Sequence, residues 1–271
     1  MATKAAPTKK SPAKRAVPAK TKRATVSTRT RAKSVSFVDR VTNTLKQVSS
    51  WRAFGAELFG TFLLATAIIV GQGQPIVVMF ALVGIVLLVG ALSGAHLNPA
   101  ITVGALITRR IEWTRAIGYI IAQVLGAILA FIMLDAFIGG AASSEETNLF
   151  FAAPALFEAT NLATVAGKEW YVFFAELAGM TILGYAIANA LRSKDRLVTA
   201  FSAGIGIFVA LMVAGTAASY VAATAIINPA VAVSLQALSW EVWPLVVYVL
   251  APALGGIVGF VLYDVLNGRK A

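Results

Sequence analysis

Cysteine is absent from the 271 residues, which excludes disulfide bonds and thiolate metal sites. The single histidine, His96, excludes a histidine cluster. Charged residues make up only 13% of the chain, against 58% hydrophobic. A soluble domain carries about 25% charged residues, so the balance is that of a membrane protein. Acidic residues are missing altogether from 1–34, a stretch rich in Lys, Arg, Ala, Pro, Thr and Ser. With so little to bury, this stretch is expected to be disordered. It has no apolar run, so it is not a secretory signal peptide. No nucleophile–base pair or metal-binding cluster is visible, so nothing supports an enzyme and no cofactor is expected.

The charge that is present is unevenly placed. Residues 1–50 hold 13 Lys/Arg and one acid, Asp39, whereas residues 51–271 hold 10 Lys/Arg and 11 acids. A near-neutral apolar domain therefore carries a basic tail. Ser36 and Asp39 form a weak capping box ahead of Phe37, Val41, Leu45 and Val48, which recur at helical spacing. Such a helix suits a membrane surface.

Six apolar spans follow, at about 53–70, 76–92, 117–136, 170–191, 198–214 and 242–265. Between them the tripeptide Asn-Pro-Ala occurs twice, as Asn98-Pro99-Ala100 and Asn228-Pro229-Ala230. Asparagine is a preferred N-cap and proline a preferred first helical residue. Each copy thus opens a helix inside apolar sequence, expected over 99–108 and 229–238. Ten residues rise roughly 15 Å, about half of a hydrocarbon core of ~30 Å. Two such half-helices end to end make one crossing, and paired broken helices mark a solute pathway. Each unit is two spans, a half-helix and a span, so the second copy is inverted relative to the first.

Internal similarity supports a duplication. Ala56-Glu57-Leu58-Phe59-Gly60 opens the first span and Ala175-Glu176-Leu177-Ala178-Gly179 the fourth. Ala122, Gly126 and Ala130 in the third span match Ala251, Gly255 and Gly259 in the sixth. Small residues at every fourth position let helix backbones approach closely in lipid. Arg109, Arg110, Arg115, Arg192, Lys194, Arg196, Arg269 and Lys270 fall on one side of a six-span topology, with the basic tail. Glu145, Glu146, Glu158, Glu169 and Glu241 fall on the other, with Lys168. The positive-inside rule then puts both termini in the cytoplasm and Trp170, Trp240 and Trp243 at the outer interface. Asp135 lies near the outer end of the third span and is expected to be solvated.

On these residues the chain resembles the aquaporin, or major intrinsic protein, family over roughly 52–266. The resemblance rests on Ser93-Gly94-Ala95-His96-Leu97-Asn98-Pro99-Ala100-Ile101-Thr102-Val103-Gly104, the Ala-Glu-x-x-Gly span starts, Gly118 to Gly126 and the second Asn-Pro-Ala, 130 residues after the first. It implies an all-α membrane fold of six helices and two re-entrant half-helices, one pore per subunit and a homotetramer. Residues 1–50 are then the basic tail with its interfacial helix. Residues 51–271 are the channel domain, with repeat halves at about 51–138 and 168–267. The permeants expected are water or small neutral solutes such as glycerol and ammonia, crossing a plasma or bacterial inner membrane.

The mechanism expected is passive. Each half-helix points its positive end at the channel centre, and Asn98 and Asn228 offer N–H groups to a passing oxygen. Glu57 and Glu176 are intramembrane acids, whose default reading is functional, such as a proton relay. The alternative is that each accepts backbone N–H bonds from a re-entrant loop, and the resemblance implies the latter. His96 and Gln123 read as further loop braces. One departure stands out. The arginine that follows the second Asn-Pro-Ala in most of the family is Val231 here, and the next residue is Ala232 rather than aspartate. Its partners at the constriction align as Val78 or Phe80, Gly215 or Thr216, and Ala225. A competing reading makes the spans an anchor and the tail a tether for nucleic acid. Contact of the tail with anionic lipid headgroups is favoured over that, and an organelle transit peptide also fits its composition.

Overall fold

A computed structural model of the chain describes residues 36–142 and 156–268, with Ala2 alone ahead of them. The expected tail over 1–34, Glu145, Glu146, Arg269 and Lys270 lie outside the described residues.

The described residues are helical and carry no strand. Helix α1 (Phe37–Lys46) is fixed by its first turn, where Asp39 N donates to Ser36 Oγ and Ser36 N to Asp39 Oδ2. None of its residues is buried, and Phe37 stacks on Trp113 with ring centres 4.9 Å apart. Helices α2 (Val48–Val70) and α3 (Pro75–Ser93) follow, joined by the tight turn 71–74. α3 starts on Pro75 and stops at Gly94, whose φ of 88° only glycine adopts freely. The half-helix α4 (Pro99–Ile107) and the long α5 (Trp113–Ala142) complete the first half. The second half repeats the pattern with α6 (Glu169–Ala190), α7 (Arg196–Ser219), the half-helix α8 (Pro229–Ser234) and the span formed by α9 (Val242–Leu245) and α10 (Ala251–Asn267).

Among the described residues, six helical stretches are long and apolar enough to cross a membrane. The shortest, α3 at 19 residues, rises about 28 Å, close to the ~30 Å of a hydrocarbon core. Their outward faces carry exposed Phe59, Leu88, Ile121, Phe137, Val209 and Val261. A soluble monomer rarely exposes apolar surface on this scale, so the chain is a multi-pass membrane protein.

The expected duplication is visible in the packing. α2 packs on α5 as α6 packs on α10, and α2 on α3 as α6 on α7. The half-helices cross over, with α4 packed on α10 of the second half and α8 on α5 of the first. Gly126 lies against the Leu58 carbonyl, and a Cβ at Gly255 would sit 2.6 Å from the Leu177 carbonyl oxygen. The backbones of α2 and α5, and of α6 and α10, therefore touch where a larger residue would force them apart.

The spans run up to six residues beyond the expected bounds, as α5 does at Ala142, and two features of the second half differ from the sequence expectation. α8 ends at Ser234, four residues short of 238. Gln236 takes a left-handed φ of 57°, and Ala237 N closes the end by donating to Ala232 O. The last span is not uniformly α-helical, because Val246–Leu250 forms a π-turn. Pro252 follows it and has no N–H to give the carbonyl of Tyr248, which is the situation a widened turn accommodates.

Candidate functional site

The two half-helices meet N-terminus to N-terminus, and their caps are interlocked. Asn98 Oδ1 accepts from Ala100 N at 2.8 Å, and Asn228 Oδ1 accepts from Ala230 N at 3.0 Å and Val231 N at 3.4 Å. Each cap oxygen thus fills the role its residue type favours. Each amide nitrogen reaches across to the opposite loop. Asn98 Nδ2 donates to Ile227 O at 2.8 Å, and Asn228 Nδ2 to Leu97 O at 2.9 Å. A carboxamide has two N–H donors. The second N–H of Asn228 has no acceptor among the described residues, and that of Asn98 meets only Met180 Sδ, at 3.7 Å.

Leu97 and Ile227, whose carbonyls accept these bonds, sit in the left-handed region with φ of 52° and 50°. That region is unfavourable for a side chain, above all a branched one such as isoleucine. It persists because both ends of each residue are bonded. Glu57 Oε2 accepts from Leu97 N at 2.7 Å and Oε1 from His96 N at 2.9 Å. Glu176 Oε2 accepts from Ile227 N at 2.7 Å, and its Oε1 from Ile226 N. Both carboxylates are fully buried. Irregular backbone at membrane depth needs internal partners of this kind.

The two halves are braced unequally. Gln123 Nε2 donates to Glu57 Oε2 at 2.7 Å and to Thr102 Oγ1 at 3.0 Å, and His96 Nδ1 lies 3.2 Å from the same hydroxyl. No such side chains stand in the second half, where Ile226, Ala232 and Pro252 occupy the matching places. Tyr119 and Tyr248, each three residues ahead of the small residues Ala122 and Ala251, were not singled out by sequence. Tyr119 OH donates to Ser93 O at 2.6 Å, and Tyr248 OH to Thr224 O at 3.3 Å. Their matching position in the repeat was the available signal. Asp135 is exposed, as are Trp170 and Trp240. Trp170 packs edge-on against Trp243 at 5.1 Å.

A cavity of about 260 Å³ opens beside the second loop, lined among others by Val78, Gly215, Ala225 and Val231. Phe80 and Thr216, the other alignments, are exposed on the outer faces of α3 and α7 and do not line it. No charged side chain lines it, and its polar side chain is that of Thr224. Among the described residues no group of His, Cys, Asp and Glu is placed to hold a metal ion.

Residues 44–263 match the family described as Major intrinsic protein. The chain belongs to the major intrinsic protein family. Family members are channels for water and small solutes, so the chain is a transport protein rather than an enzyme. It is 29% identical to aquaporin NIP1-1 of Zea mays over 78% of this chain and 73% of that protein. It is 27% identical to aquaporin Z of Photorhabdus laumondii over 81% of this chain and 99% of that one. A shorter match, 38% identical to glycerol uptake facilitator protein-like 6 of Lactiplantibacillus plantarum, spans 32% of this chain and 44% of that protein. The aquaglyceroporin of Plasmodium falciparum has the same fold, with a TM-score of 0.58 at 20% identity, covering 81% of this chain and 97% of that one.

In this major intrinsic protein the loop bonds to the glutamates have a measurable consequence. Glu57→Gln replaces one acceptor oxygen by a donor facing Leu97 N, His96 N or Gln123. An unsatisfied buried polar group costs about 1–3 kcal/mol. The variant is expected to unfold at lower temperature in detergent by the equivalent of that loss. Unchanged thermal unfolding would show that the carboxylate does not hold the loop.

Proposed function

We propose that this chain is a passive pore for water and small uncharged solutes such as glycerol and ammonia, with a constriction that lacks arginine. The observation that carries this reading is Val231. It follows Asn228-Pro229-Ala230 directly and borders one apolar cavity together with Val78, Gly215 and Ala225. A guanidinium there would narrow the path and supply several donors. Valine supplies none, so steric rejection of larger solutes weakens. The names of relatives, which include both aquaporins and a glycerol uptake facilitator protein-like chain, agree with either water or polyol as permeant.

In the mechanism, a permeant oxygen accepts the N–H groups of Asn98 and Asn228 left over from the loop bonds. The positive ends of α4 and α8, with Pro99-Ala100 and Pro229-Ala230 in their first turns, face that oxygen and oppose cations and protons. Glu57, Glu176, His96 and Gln123 act as braces of the loops rather than as a proton relay, because both carboxylates accept loop N–H groups and Gln123 Nε2 donates to Glu57. No group need change protonation for a solute to pass.

Permeability of liposomes containing the protein tests this reading. Stopped-flow swelling in water, glycerol, urea and ammonia gradients is expected to show flux of uncharged solutes. Val231→Arg is expected to lower passage of the larger solutes more than that of water. An unchanged solute-to-water ratio would remove Val231 from the filter. In the same assay, truncation of residues 1–34 leaves permeability intact if the spans are a channel. A tether reading instead predicts loss of binding to nucleic acid or anionic lipid as the only effect.

The proposed orientation has both termini in the cytoplasm. Arg109, Arg110, Arg192, Lys194 and Arg196 lie at the bundle end that includes the turn 191–195, which supports it. Because the chain has no cysteine, one introduced at Ser193 reports its side by labelling with an impermeant thiol reagent. Labelling from the cytoplasmic side is expected, and labelling from outside would invert the topology. The assembly proposed is a homotetramer, on the family's pattern. Native mass spectrometry in mild detergent is expected to give four copies, and a monomer alone would contradict it.

A further inference from the structure

We infer that Phe157, on the connection between α5 and α6, is the residue that sets the size limit of the pore mouth in place of the missing arginine. The inference rests on the proposed pore reading and adds to it the group that does the sieving.

Phe157 lines the same cavity as Val78, Gly215, Ala225 and Val231, although it is far from them in sequence. The ring is seated by a specific feature of the turn between α2 and α3. Gly73 has a φ of 65°, and a Cβ there would lie 2.8 and 2.9 Å from two atoms of the Phe157 ring. Glycine at 73 thus serves both the turn and the ring's place. Phe157 is also packed against the apolar core and is partly exposed.

The segment that carries the ring is tied down on the far side of the cavity. Ala159 N donates to Leu235 O at 3.2 Å. Thr160 N donates to Thr224 Oγ1 at 3.2 Å, and the two threonine hydroxyls lie 2.8 Å apart. Leu235 and Thr224 themselves line the cavity. Beyond Thr160, Asn161 caps the short 3-10 turn Leu162–Val165, whose two end residues are buried. Residues 157–160 therefore reach from the α2–α3 turn to the Asn228 loop. The segment borders the cavity through the Phe157 ring and is held there by backbone and hydroxyl bonds.

The consequence is a division of labour that the arginine would otherwise combine. Phe157 supplies bulk without charge. Thr224, beside it, supplies a hydroxyl, and the remaining wall is apolar. Such a mouth excludes by size and gives polar solutes little to bind, so it favours small solutes of low polarity over larger polyols.

Permeability ratios of the reconstituted full-length chain test the assignment. In a hydrophobic pocket one methylene discriminates by about ten-fold or more. Phe157→Ala is therefore expected to raise the glycerol-to-water permeability ratio by about ten-fold, with the thermal unfolding temperature of the variant recorded alongside. Phe157→Trp is expected to lower the ratio, and Gly73→Ala, which displaces the ring, to change it from the parent value. Ratios unaltered in Phe157→Ala and Phe157→Trp, in protein that still conducts, would overturn the role of Phe157 while leaving the pore reading standing. A parent protein with no flux above that of empty liposomes would overturn the pore reading itself. A fall in stability with no change of ratio would make the ring a packing residue and overturn the inference.

Discussion

Two residues without any polar side chain, Leu97 and Ile227, hold the centre of this membrane protein together. Each gives its N–H to a buried glutamate and its carbonyl to the asparagine of the other half. Both are held in a backbone conformation that leucine and isoleucine avoid. The bonds at either end keep them there, and strain of this kind survives only where the surroundings over-determine it. Much else follows from the arrangement. The half-helices can begin inside the bundle because their first N–H groups are capped by Asn98 and Asn228. The asparagines are aimed because one of their two N–H donors is already committed. Glu57 and Glu176 are tolerated at membrane depth because their oxygens accept from loop backbone that would otherwise be unpaired.

The inverted halves share this frame but not its chemistry. Around Glu57 the brace is polar, built from Gln123, Thr102 and His96. Around Glu176 the matching places hold Pro252, Ala232 and Ile226, and a π-turn stands where the span passes Pro252. The cavity on the Asn228 side continues the trend, with Val231, Val78 and Ala225 in its wall. The loop of one half is therefore braced by hydrogen-bonding side chains, whereas the matching places in the other half hold hydrocarbon.

The parts legible in the sequence were those set by local rules. Asn-Pro-Ala reads as cap and first turn wherever it stands, and Ser36 with Asp39 reads as a capping box. Gly126 and Gly255 announced close helix contacts because their spacing repeats. The duplicated glutamates pointed at the loops only through the family resemblance, since an intramembrane acid by itself reads equally as a proton relay. What stayed ambiguous was helix phase. In α3 nearly every residue is apolar, so no polar stripe tells Val78, which faces the cavity, from Phe80, which is exposed. Gly215 and Thr216 in α7 posed the same choice, and small size gave no direction. The end of α8 was overestimated because no glycine marks it, and Gln236 takes the left-handed position instead. Phe157 lies in irregular sequence whose partners, Gly73 and the Asn228 loop, are distant along the chain, so no periodicity could connect them. Families of this kind are legible through motifs, while the filter depends on contacts that only the folded chain assembles.

The reciprocal loop bonds are the point at which the whole arrangement is most directly open to measurement. Magic-angle-spinning NMR of the protein in lipid, with the asparagine side-chain amides labelled with nitrogen-15 and the Leu97 and Ile227 carbonyls with carbon-13, reports them without a mutation. Dipolar transfer is expected from Asn98 Nδ2 to the Ile227 carbonyl and from Asn228 Nδ2 to the Leu97 carbonyl, both at hydrogen-bond range. Absence of both transfers in folded protein would mean that the half-helices are not joined through their caps, and would contradict the reciprocal bonding on which the centre of this chain depends.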